Sequence, residues 1–242
     1  MSSAPLSIVV SGVGGQGTVL SAKLLAECAL AGGAYVRSAE TIGMAQRGGI
    51  VLGHVRIVFP YEGAGSDTDK AGGLGSSGKL RSARADQLAC LSPLVPLGRA
   101  DLLIGFEPGE TLRTYRYCKP GASVITATNP LVPPTAAVKK VKYDGKAQLA
   151  VLEQQAAEGR IAHLVQIESS AVIAEIGFDK ALNVVLLGAA LGVLKESDSP
   201  YAPLLSYKAM QNTIQATVKE RFVELNLKAL EMGYNIINHS MV

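Results

Sequence analysis

Two polar, glycine-framed stretches carry the residue types that could do chemistry. The first is Gly12-Val13-Gly14-Gly15-Gln16-Gly17. Glycines at 12, 14 and 17 match Gly-x-Gly-x-x-Gly between a strand pattern and a helix pattern. Such glycines permit a tight turn and a close backbone approach, and the free N–H groups at the helix start favour an anion. Two readings of this loop stand side by side: an anion or dinucleotide cradle built on Gly12, Gly14, Gly15, Gln16 and Gly17, or a tight crossover and nothing more. The second stretch runs Ser38-Ala39-Glu40-Thr41-Ile42-Gly43-Met44-Ala45-Gln46-Arg47-Gly48-Gly49. Arg47 in that frame could clamp a carboxylate or phosphate with two parallel hydrogen bonds, with Gln46 donating and accepting beside it. Equally, Glu40 could pair with Arg47 as a structural bridge and leave no free site. A nucleotide fold usually places an acid at the end of its second strand to hold the ribose. Here that strand is expected to end at Arg37 and Ser38, with Glu40 in the following loop. Arg37 could meet a 2′-phosphate, so an NADP- or flavin-binding protein stays open as the alternative reading. His54 and Arg56 share one strand face, where a histidine is expected to be a satisfied, partly buried residue and not a catalyst. The chain has no Gly-x-Ser-x-Gly elbow and no metal-spaced His/Glu pair, so hydrolase and metalloenzyme chemistry have no starting point.

The elements that must hold these residues can be read from periodicity. Ser7 to Ser11 is a buried, parallel-type strand that runs into the first motif. Thr18 to Leu30 is a helix with Leu20, Leu24 and Cys28 on one face, stopped by Gly32-Gly33. Ala34 to Arg37 is the second strand, and the period-two run Gly49 to Phe59 a third with two unlike faces. Further strands are expected at Asp101–Phe106, Ser123–Thr126 and Ala162–Ile167. Helices are expected from Glu107-Pro108 to about Tyr117, at Lys146–Ala157, and at Glu168–Ile176. Three more are expected at Lys180–Leu194 capped by Asp179, at Tyr207–Val218 and at Arg221–Met232. Pro120-Gly121 reads as a turn. Strands alternating with helices predict one Rossmann-like α/β domain over 1–242, its sheet mostly parallel, with a helical C-terminal region. Six glycines fall between Gly63 and Gly78, so about 62–80 is read as a flexible surface insertion.

Composition removes several classes. Of 242 residues, 48% are hydrophobic and 18% charged, enough for a substantial core under a lightly charged surface. The net charge is only +3 and no basic run appears, which argues against nucleic acid. Cys28, Cys90 and Cys118 are odd in number and far apart, so this chain offers neither a zinc ribbon nor an iron–sulfur cluster site. The most apolar stretch, Ala181 to Leu194, is too short to cross a bilayer, and no secretory leader pattern is present. A cytoplasmic setting is expected.

Taken together, the two glycine-framed motifs are similar to those of the gamma-type subunit or domain of 2-oxoacid:ferredoxin oxidoreductases. The form Gly43-Met44-Ala45-Gln46-Arg47-Gly48-Gly49 looks most like the indolepyruvate oxidoreductase beta subunit, and Asn183-Val184-Val185-Leu186-Leu187-Gly188 resembles a later family segment. The resemblance implies a partner subunit of a larger enzyme that oxidatively decarboxylates a 2-oxoacid, passes electrons to ferredoxin and transfers the acyl group to coenzyme A. It implies that thiamine diphosphate, magnesium and [4Fe–4S] clusters sit on a large alpha-type subunit, with no catalytic residue, cofactor or metal expected on this chain. It further implies that Glu40, Gln46, Arg47, Gly48 and Gly49 lie near the substrate or coenzyme A. The glycine loop would then face a cofactor held by another chain.

Overall fold

The computed structural model describes residues 5–43, 49–59, 92–131, 143–177 and 181–240. Among them, six strands form one sheet: β1 (Leu6–Val13), β2 (Tyr35–Ile42), β3 (Ile50–Val58), β4 (Ala100–Gly105), β5 (Cys118–Ala127) and β6 (Ile161–Ile167). The spatial order is β2-β3-β1-β4-β5-β6. β1, β4, β5 and β6 are parallel neighbours, while β3 is antiparallel to both β1 and β2. The expected mostly parallel α/β architecture is therefore present, with one antiparallel strand inserted beside β1.

Seven α-helices flank the sheet among the described residues: α1 (Thr18–Ala31), α2 (Pro108–Thr114), α3 (Lys146–Ala157), α4 (Ser169–Ile176), α5 (Leu182–Glu196), α6 (Tyr207–Thr217) and α7 (Val223–Ser240). One face carries the larger core, in which Ile8, Val10, Val55, Ile57, Leu102 and Ile104 pack against apolar side chains of α1, α5, α6 and α7. The other face carries a smaller core of Val9, Leu52, Val95, Leu103, Val124 and Leu152. β3 is buried on both faces for that reason, from Val51 through Val55. α5 is buried almost all round, as its continuous apolar sequence predicts. It crosses α7 at backbone contact: a Cβ on Gly188 would stand 2.2 Å from Leu230 O, and one on Gly233 1.9 Å from Val185 O.

Several local expectations are corrected. β2 continues past Arg37 to Ile42, because its backbone pairs with β3 through Ile42 opposite Val51. Glu40 therefore lies on a strand and not in a loop. Pro120-Gly121 falls inside β5, whose register against β4 shifts between Ala100 and Leu102. α3 has the expected bounds but buries only Leu152, so its apolar face is narrow. α5 starts after Ala181, and Asp179 lies outside the described residues, as do residues 62–80.

Burial also governs the thiols. Desolvation pushes Cys28 up to about 11 and Cys118 up to about 12, so both stay protonated at neutral pH. We expect a thiol-selective alkylating reagent at pH 8 to leave both unlabelled in the native chain and to label both after denaturation, read by peptide mass mapping. Native labelling of Cys28 would contradict its burial. The raised Cys28 pKa also contributes to the pH dependence of stability on the alkaline side. Above the ordinary value of 9.0 the unfolded thiol loses its proton while native Cys28 keeps it to about 11, so stability declines across that window.

Candidate functional site

The chain reverses its direction of progress across the sheet at β1. From β1 it passes through α1 to β2 at one edge, whereas β4, β5 and β6 extend the other way. The C-terminal ends of β1 and β4 thus form a topological switch point, the place where open α/β sheets bind ligands. The glycine loop and the described ends of the second motif meet there. The glycine loop follows β1 directly, and the second motif is a hairpin: Ser38 to Ile42 end β2, and Ile50 begins β3. Gly43 N–H donates to Ile50 O at 2.8 Å across the hairpin mouth. Gly14 N–H donates to Gly49 O, also at 2.8 Å, and this bond ties the hairpin to the glycine loop.

The glycine loop is largely tied off internally. Gln16 N–H donates to Val13 O at 3.2 Å. Its side-chain Oε1 accepts from Val13 N–H at 2.7 Å, and its Nε2 donates to Phe106 O at 3.1 Å, bridging β1 to β4. Gly15 and Gly17 adopt φ of +103° and +89°, which an L side chain rarely takes. A Cβ on Gly17 would also stand 2.7 Å from Asn183 Nδ2, on the first turn of α5. What remains open is the first turn of α1, which has no side-chain cap and no acidic residue.

β4 is positioned by a buried polar cluster. Glu107 is only 3% exposed; its Oε2 caps α2 by accepting Glu110 N–H at 2.9 Å, and its Oε1 accepts from the Tyr143 hydroxyl. That hydroxyl accepts in turn from Gly109 N–H at 2.8 Å. Burial first, then the Glu107 contact, raises the Tyr143 pKa well above its ordinary value. Thr111 Oγ1 shares a 2.8 Å hydrogen bond with Thr126 Oγ1, and Thr114 Oγ1 donates to Ser11 Oγ at 2.9 Å. The donor set is typical of a scaffold: each hydroxyl and carboxylate has a protein partner.

Of the residues singled out from sequence, Gly12, Gly14, Gly15, Gln16, Gly17 and Gly49 come together at this edge. Glu40 is exposed on β2, opposite Gly53 of β3. Gln46, Arg47 and Gly48 lie outside the described residues, between the two anchored ends Gly43 and Gly49. Arg37 is paired in register with Arg56, mid-strand and away from the glycine loop. His54 is 2% exposed; its Nδ1 accepts from Val95 N–H at 3.3 Å and its ring meets Tyr117 edge-on at 5.5 Å. Burial lowers its pKa, so it is a neutral, satisfied core residue, as expected. Sequence reasoning did not pick out Thr18, Tyr143 or the Glu107 cap. Asn183 stood in a recognised motif, but its contact with Gly17 is tertiary and leaves no local signal.

A family model described as Pyruvate ferredoxin/flavodoxin oxidoreductase matches residues 7–71 and 83–236, most of the chain. The chain belongs to that family. The expected gamma-type resemblance is borne out. Across 230 residues it is 33% identical to "Indolepyruvate oxidoreductase subunit IorB" of Archaeoglobus fulgidus, covering 95% of this chain and 94% of that one. Among solved structures, the gamma subunit of a keto/oxoacid ferredoxin oxidoreductase from Geobacter sulfurreducens is similar in fold, with a TM-score of 0.59 at 19% identity, over 97% of this chain and 99% of that one. A 2-oxoglutarate:ferredoxin oxidoreductase from Magnetococcus marinus gives 0.57 at 18% identity, and 99% of this chain matches only 32% of that longer chain. At these identities the two structures support the fold alone. Among the described residues of this family member, no helix is long and apolar enough to cross a membrane.

Proposed function

We propose that this chain is the small subunit of an indolepyruvate-type 2-oxoacid:ferredoxin oxidoreductase, inactive by itself. The large alpha-type partner would carry thiamine diphosphate, magnesium and [4Fe–4S] clusters, with ferredoxin and coenzyme A reaching the complex there. The substrate class rests on the near full-length similarity to a curated indolepyruvate oxidoreductase subunit. The role of the site rests on one observation, the Gly14 N–H to Gly49 O bond that fastens the hairpin to the glycine loop at the switch point. That anchor fixes Gly49, and the Gly43 N–H to Ile50 O bond fixes Gly43, beside the switch point. Arg47 and Gln46 bind a carboxylate or phosphate of the 2-oxoacid or coenzyme A, while Glu40, Gly48 and Gly49 shape the cleft. The thiamine group supplies the carbanion chemistry when the partner holds it; this chain binds, orients and excludes water. Val19 and Ile50 are both 39% exposed beside the glycine loop, an apolar rim suited to a partner surface.

The alternative, a stand-alone NADP- or flavin-binding protein, gains no support from the geometry. β3 lies between β1 and β2, so the end of β2 is two strand spacings, about 10 Å, from the glycine loop. Neither Glu40 nor Arg37 is then placed to meet a ribose or its phosphate.

Co-expression with the large subunit and a viologen-coupled assay test the proposal. The complex should oxidise indolepyruvate in the presence of coenzyme A, and the small chain alone should not. Arg47→Ala should leave assembly intact and lower kcat/KM for coenzyme A or the 2-oxoacid by about tenfold or more, the scale of one lost charge-assisted contact. Activity of the isolated chain, or thiamine diphosphate binding to it, would sink this reading.

A further inference from the structure

The start of α1 offers more than open N–H groups. Thr18 is 2% exposed, and its Oγ1 has no hydrogen-bond partner among the described residues. A buried hydroxyl is normally paired, so an orphan at a glycine loop calls for a ligand. The hydroxyl is turned back over Gly12: a Cβ there would stand 3.0 Å from Thr18 Oγ1, 2.8 Å from Gln16 Oε1 and 2.9 Å from Phe106 Cβ. The space over the Gly12 α-carbon is therefore walled by a hydroxyl, a carboxamide oxygen and an apolar carbon. Gln16 Oε1 fills the position where a ligand oxygen would accept the Val13 N–H. Gln16 is only half-buried, next to exposed Gly15.

The surrounding field favours negative charge. α1 and α5 are 14 and 15 residues long, and neither has a side-chain cap or an acid in its first turn. Their N-termini meet where Gly17 packs against Asn183, itself 2% exposed. The positive end of α1 thus lies beside the Thr18 hydroxyl, with the first turn of α5 packed against Gly17.

We propose that the start of α1 is an oxyanion site and that the Gln16 carboxamide is its resident plug. A phosphate or carboxylate oxygen replaces Gln16 Oε1 on the Val13 N–H, with Thr18 Oγ1 rotating to donate a second hydrogen bond. A charged oxygen accepts more strongly than an amide oxygen, which offsets the loss of the Gln16 Nε2 bond to Phe106 O. Because plug and ligand compete, the closed form lowers the apparent affinity of the wild-type chain. The site shares its loop with the proposed subunit role, but binding is read on the full chain by itself, so either idea can fail while the other stands.

The test is titration of the full-length chain with inorganic phosphate and, separately, with pyruvate, at constant ionic strength. Gln16→Ala should bind at least one of them about tenfold more tightly than wild type, because the plug is gone. Adding Thr18→Val should reverse most of that gain. Tightening for phosphate alone assigns a phosphate ligand, for pyruvate alone a carboxylate, and for both the shared oxyanion charge. No tightening for either, or tightening indifferent to Thr18→Val, overturns the proposal. If Gln16→Ala does not fold, Thr18→Val in the wild-type background decides: it should abolish the rise in Tm that phosphate or pyruvate produces. A rise that survives that substitution, or a wild-type chain with no rise in either ligand, overturns the proposal as well.

Discussion

Gly233→Ala should lower the unfolding free energy by about 3 kcal/mol or more, although helix propensity alone predicts a gain of about 1 kcal/mol. The added Cβ would stand 1.9 Å from Val185 O and 2.7 Å from Val185 C, both backbone atoms of α5. Backbone cannot rotate away as a side chain can, so the helices must separate. Separation opens the larger core around Val185, Leu186, Ala229 and Leu230, all fully buried. Total stability of a domain is only about 5–15 kcal/mol, so the loss would be a large share of it. Urea unfolding of the variant and wild type measures the difference. A variant as stable as wild type would mean that α5 and α7 do not meet at backbone contact.

Gly17→Ala should cost about 2–4 kcal/mol, the sum of a left-handed backbone penalty and the displacement of Asn183. Gly15→Ala provides the control. Its φ of +103° is also unfavourable for alanine, but nothing lies within 4 Å of its Cβ position. Gly15→Ala should therefore show the conformational cost without the collision, and remain the milder change. Asn183→Ala should recover part of the Gly17→Ala loss but none of the Gly15→Ala loss, a coupling that a double-mutant cycle isolates. Equal costs at the two glycines, or no coupling to Asn183, would contradict the contact between the α1 and α5 starts.

The elements themselves were legible because their signals are local. The apolar run Ile8-Val9-Val10, the glycine stop at Gly32-Gly33 and the proline-led helix start at Glu107-Pro108 each act within a few residues, and each appears where expected. Boundaries failed where pairing overrode local composition. Ser38 to Thr41 is polar and reads as loop, yet the β3 ladder holds it as strand to Ile42. Backbone hydrogen bonding pays no regard to side-chain polarity, so the partner's length set the end of β2.

By itself, the amino-acid sequence determined the α/β class, the six strands, the two motifs and their family resemblance, because periodicity, glycine placement and motif spacing are written in consecutive residues. Only the tertiary structure decided that β3 inserts beside β1 and moves β2 away from the glycine loop. It also decided that Gly49 fastens to Gly14, that Gln16 seals the loop against Phe106, and that Asn183 of α5 packs on Gly17. Each of these is a contact between distant segments. Which distant groups meet depends on how the whole core closes, and no local pattern records it.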